Sequence, residues 1–272
     1  LLGSYLTRLY PLLLGGIVYM NIKKISKKNT LIFFITFLTL FTLFFTRERS
    51  AIFFFFMTLF LIYPFTNIIN YKKTFLLFLI IVLVSTFIIY PQTFINIILN
   101  TLKQLNITQY LQQNHERIFL FSDVHEANFL TAISIFKDHP ITGAGVKMFR
   151  ELCYDYGYKI YMWYQQDMFC STHPHNTYIQ LLAETGIVGF GAIFSILIYT
   201  IYKITEHVVM FFLNNKKCLS DYNFSLLVCF LLTLWPIIPT GNFFNNWLNV
   251  TYFLPVGFYL SNTKYYNMKK HD

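Results

Sequence analysis

The chain has 272 residues, of which 56% are hydrophobic, 20% aromatic and only 12% charged, with a formal net charge of +9. Soluble domains carry about 25% charged residues, so this balance excludes an ordinary soluble globule. The basic residues form no stripe interleaved with base-stacking aromatics, which argues against a nucleic-acid partner.

Apolar runs of roughly 20 helical residues cross a hydrocarbon core of about 30 Å. The sequence predicts seven: 5–22, 30–46, 51–69, 74–90, 176–202, 222–240 and 247–262. A spanning helix satisfies its own backbone hydrogen bonds, so the expected fold is all-α: a polytopic helical membrane protein with one large external loop. The first segment opens with "LLGSYLTRLYPLL", without a methionine start or the basic flank of a signal peptide, and the expectation is that earlier spans precede it. "KKISKK" follows at 23–28, then "TRERS" between the second and third segments, then "YKK" at 71–73. Residues 1–90 thus read as membrane helices joined by short loops. Lysine clusters mark cytoplasmic loops, and "NNKK" at 214–217 and the tail "KYYNMKKHD" fit the same alternation. The positive charge is then accounted for by topology and by anionic lipid headgroups.

Residues 91–175 form one long hydrophilic connection on the outer side, and loops beyond about 15 residues are usually functional or disordered. "HEANFLTAISIFKDHP" predicts an amphipathic helix ending before Pro140, and "ITGAGVKMF" supplies glycines for a turn. Cys153 and Cys170 lie in this loop, where an oxidising compartment permits a disulfide; Cys218 sits beside cytoplasmic lysines and Cys229 within a span. Free thiols at 153 and 170 are the alternative. Residues 176–272 hold the remaining spans and a cytoplasmic tail.

All five arginines, Arg8, Arg47, Arg49, Arg117 and Arg150, fall on the outer side, against the usual bias. Interfacial snorkelling, with Glu48 as local partner, is one reading of Arg47 and Arg49. The other is an anion in a water-filled cavity, since guanidinium suits bidentate phosphate recognition. His173 and His175 flank Pro174 where a helix begins, with Asn176 or Thr177 as its cap. An imidazole there can take a proton from a sugar hydroxyl. A metal held by His173, His175 and Asp167 competes weakly with that reading. His115, His125, His139, His207 and His271 read as ordinary surface or core histidines. Thr177, Gln180 and Glu184 share one helical face, with Glu184 either catalytic or tying helices together, and Gly186, Gly189 and Gly191 suit close packing.

The run "THPHNTYIQLLAETGIVG" resembles the signature of the O-antigen ligase and polymerase family, integral inner-membrane proteins that handle polyprenyl-pyrophosphate-linked glycans. "TRERSA", "AISIFKDHPITGAGVKMFR" and "GNFFNNW" resemble further family elements in the same order. The resemblance implies inverting, metal-independent glycosyl transfer, with no cofactor, on the periplasmic face of a bacterial inner membrane. The implied donor is an undecaprenyl-pyrophosphate-linked glycan, and the acceptor the lipid A core or another glycan or protein. By motif, His175 is the base and Arg49 holds the pyrophosphate, with Arg150, Arg117 and Arg8 as further assignments to the same anionic group; Arg47, His173, Asn176 and Glu184 complete the expected substrate-binding set. The ligase branch looks closest, and polymerase and protein-glycosylating members share the motif. Outside the family, a transporter or a non-catalytic membrane subunit are the alternatives.

Overall fold

The structure, a computed structural model, describes residues 2–104, 122–157 and 170–268. Arg117, His115, Asp167 and His271 lie outside the described residues. All regular structure among the described residues is helical. Five helices precede residue 105: α1 (Leu2–Tyr19), α2 (Ile25–Thr46), α3 (Arg49–Phe65), α4 (Lys72–Ile89) and α5 (Pro91–Gln104). The rest are α6 (Asp123–Asp138), α7 (Phe149–Gly157), α8 (Thr177–Asn214), α9 (Asp221–Thr233) and α10 (Asn246–Met268).

Each of the seven predicted segments contains a helix, and three of these, α2, α4 and α8, are long and apolar enough to cross a membrane. α3 and α9 are apolar but shorter. On α2 the side chains of Phe34, Phe37, Phe41 and Phe45 line an exposed stripe, and α4 exposes Leu77, Ile81, Val84 and Ile88. Such faces would be a liability in water and are what lipid requires. The protein is a helical, multi-pass membrane protein.

The chain divides into two compact units, one of residues 1–91, 197–234 and 250–272 and the other of 92–196 and 235–249. In the first, α1 packs on α2, α3 and α9. Tyr10 is fully buried, bonding Thr36 Oγ1 at 2.7 Å and lying against the Phe55 ring. Gly15 lets α1 come close to Ser225 of α9. His207 is structural, as expected: Leu219 N–H donates to Nδ1 at 3.1 Å, so Nε2 carries the proton and donates to the Phe65 carbonyl at 3.2 Å. α9 stops at Thr233, well short of the predicted 240, because Pro236 and Pro239 cannot continue a helix.

In the second unit α6 and α7 pack around Ala132, Ile135, Phe149, Cys153 and Ala183. A disulfide joins Cys153 to Cys170, with Cα atoms 5.1 Å apart. α8 is not continuous: Gly186 takes φ 63° and ψ −164°, which breaks the helix. Residues 140–145 fill the break. Ala144 and Gly145 N–H donate to the Ala183 and Glu184 carbonyls at 2.9 and 3.1 Å, while Ile187 and Val188 N–H donate to the Pro140 and Ile141 carbonyls at 2.9 and 3.4 Å. The groups orphaned by the break are thus paired. Glycine is obligatory on both sides: a Cβ on Gly143 (φ 71°) would collide with the Glu184–Thr185 backbone, and one on Gly186 with Ile141 and Gly143. The expectation of close packing fails at Gly191, which faces open space.

Candidate active site

The turn before α8 gathers the histidines. Asn176 caps the helix, its Oδ1 accepting from Tyr178 and Ile179 N–H at 3.0 and 3.1 Å. Its Nδ2 reaches the Pro236 carbonyl at 2.8 Å. Residues 235–245, released from α9 by the prolines, supply further anchors. Thr240 N–H donates to the His175 carbonyl at 2.7 Å, and Thr177 bonds Thr240 through their hydroxyls at 2.9 Å. His173 Nε2 donates to the Thr240 carbonyl at 3.1 Å, which leaves Nδ1 to accept from the Thr172 hydroxyl at 2.9 Å.

His175 is held differently. Its backbone is left-handed, φ 57°, an uncommon state for a non-glycine residue that costs on the order of 1–3 kcal/mol. The ring is half-buried, 4.3 Å from the His173 ring and 5.2 Å from the His125 ring between centroids. Neither of its ring nitrogens has a hydrogen-bond partner among the described residues, so both lone pair and proton are open to a substrate. Burial first, then the neighbouring His173 and His125, push its pKa down to about 4. Burial lowers His173 and His125 as well.

His125 was expected to be an ordinary histidine. It sits on α6, 50 positions before His175 in the chain, and no spacing links "SDVHE" to "HPHN". Only the packing of the second unit brings it in, where its Nδ1 pairs with the Ser122 hydroxyl at 2.6 Å. Although three imidazoles converge, no group of three His, Cys, Asp or Glu side chains among the described residues is arranged to hold a metal ion.

Behind the histidines, Gln180 and Glu184 form a buried network on the face predicted for them. Gln180 Nε2 donates to Glu184 Oε2 at 2.9 Å and to Asn242 Oδ1 at 2.8 Å, and its Oε1 accepts from Phe243 N–H at 2.9 Å. Glu184 Oε1 accepts from Phe149 N–H at 3.1 Å, the first amide of α7. Glu184 therefore ties α7, α8 and the 242–243 turn together.

The arginines separate. In the first unit Arg8 is buried on α1, its guanidinium 4.8 Å above the Phe54 ring and bonded to the Ser4 hydroxyl. Arg47 is exposed and ends α2 in a left-handed conformation, φ 53°; Arg49 opens α3 and is half-buried. Glu48, at the junction of α2 and α3, caps α1 with its carboxylate, accepting from Gly3 and Ser4 N–H at 3.1 and 2.9 Å. In the second unit Arg150 is exposed and pairs with Glu151 at 2.9 Å.

A family model described as O-antigen ligase matches residues 34–194, more than half of the chain. No curated protein and no solved structure matches the chain. The match runs from α2 through the arginine element, the 140–145 turn and the histidine turn into the broken helix, and the chain belongs to the O-antigen ligase family.

Proposed function

We propose that the protein transfers a glycan from undecaprenyl pyrophosphate to an acceptor hydroxyl at the periplasmic face of a bacterial inner membrane, with His175 as the base. The observation that carries this reading is the His175 ring: half-buried against His173 and His125, with neither nitrogen bonded among the described residues; burial pushes its pKa down to about 4, which favours the neutral imidazole. The acceptor O–H gives its proton to an imidazole nitrogen as its oxygen attacks the anomeric carbon from the face opposite the phosphate. The bond from that carbon to the phosphate oxygen breaks, and the electron pair leaves with the pyrophosphate. An imidazole with a pKa this low is a weak base but is always available, and the activated leaving group demands little base strength. Positive charge on the leaving group is assigned by motif to Arg49, aided by Arg8, Arg47, Arg117 and Arg150, with no metal required. His173 and Asn176 hold the turn that presents the base, and Glu184 braces the helix behind it. The acceptor is the lipid A core in the ligase reading; polymerisation of the same glycan or transfer to protein uses the same chemistry.

The test is glycan transfer by the full-length protein in membranes, comparing wild type with His175→Ala at matched abundance. Loss of transfer by at least about 100-fold, the scale of general-base catalysis, is expected. Retained activity would remove His175 as the base.

A further inference from the structure

Beside the histidine turn lies a cleft of about 330 Å³ lined by Lys147, Arg150, Thr172, Asn242, Asn245 and Asn246. Its size falls within the range of small-ligand sites, and the residues that line it all carry a polar group: three carboxamides, one hydroxyl and two cations. No carboxylate lines it among the described residues. Glu151 is engaged with Arg150, and Glu184, within electrostatic reach of Lys147, is buried and bonded to Gln180 and Phe149. Carboxamides donate and accept at once, which matches the paired character of sugar hydroxyls. With Arg150 already paired to Glu151, Lys147 adds a demand for negative charge that a neutral sugar does not meet.

Two details show the cleft to be built. Lys147 is held at φ 63°, with its backbone N–H bonded to the buried Glu184 carboxylate, which fixes the chain at the cleft wall. Asn242 is fixed by Gln180 through the buried network, and Thr172 bonds His173, whose ring lies against His175. The cleft is therefore linked to the candidate base through Thr172 and His173.

We infer that this cleft binds a sugar bearing a carboxylate or phosphate substituent, so that the protein acts on an acidic glycan. This rests on the transferase reading above, and the sugar belongs either to the donor or to the acceptor.

Binding is measured first, by saturation-transfer NMR on the full chain in detergent, with two oligosaccharides of identical linkage, one containing a uronate and the other its neutral counterpart. The uronate is expected to bind at least about tenfold more tightly, a difference removed by Lys147→Gln and kept by Lys147→Arg. Equal binding of the two, or a preference that survives Lys147→Gln, overturns the inference. So does Lys147-dependent binding of inorganic pyrophosphate tighter than that of the uronate, which would make the cleft the leaving group's site. Transfer assays then pair an acidic donor with a neutral acceptor and the reverse. A rise in KM for one acidic partner in Lys147→Gln locates the sugar on that partner, and a rise for neither overturns a substrate role. Uronate preference in a wild-type protein that transfers glycan to no acceptor offered would sink the transferase reading alone; absence of preference in a wild-type protein that does transfer would sink the cleft alone.

Discussion

His175 combines two costs, a left-handed backbone and a ring withdrawn from water beside two other imidazoles. Both follow from the anchors around it: Pro174 restricts the residue before, Asn176 starts the helix after, and Thr240 clamps its carbonyl. The depressed pKa makes a pH prediction. Transfer that needs neutral His175 stays level from pH 8 down to about 5 and falls through about 4, whereas an imidazole at its ordinary 6.5 would be roughly three-quarters protonated by pH 6. In His125→Asn the acid limb moves to higher pH, because a neighbouring positive charge has been removed. A limb centred near 6.5 in the wild type would refute the burial argument. The same shift acts on stability. The unfolded chain takes up this proton first, so the contribution of His175 is complete above 6.5 and is lost as pH falls toward 4.

At the scale of elements, the splice of residues 140–145 into α8 sets the geometry of everything beside it. Its energetics predict a contrast between two glycines of one helix. Gly186→Ala forces a side chain into the Ile141 backbone at a positive φ, and should destabilise by about 2 kcal/mol or more. Gly191→Ala meets open space and should lie within about 0.5 kcal/mol of neutral or slightly stabilise the helix. Thermal unfolding in detergent separates them, and equal midpoints would mean that the splice contributes nothing. Much of this region was legible in the sequence. The α6 helix, the glycine turn, the Asn176 cap and the shared face of Gln180 and Glu184 all follow from local patterns. The break at Gly186 did not, because a glycine after an apolar run reads equally well as a packing contact. Nor did the role of His125 or the loop of residues 235–245, whose partners lie 50 or more positions away and are chosen by the fold.

For the whole molecule, the three helices among the described residues that are long enough to cross a membrane leave its sidedness to the charges between them. The proposed topology, read from the lysine clusters at 23–28, 71–73 and 214–217, puts Cys218 on the cytoplasmic side, and the structure leaves that thiol exposed while Cys229 is buried and Cys153 and Cys170 are joined. Cys218 thus serves as the reporter. A membrane-impermeant maleimide should label it in inverted inner-membrane vesicles and not in intact spheroplasts, and labelling in spheroplasts would reverse the proposed topology. The splice at Gly186 also bears on how such a protein is made. Residues 140–145 emerge from the ribosome before Ile187 and Val188, so the loop that receives the two leading amides of the long apolar half of α8 already exists when that half enters the bilayer.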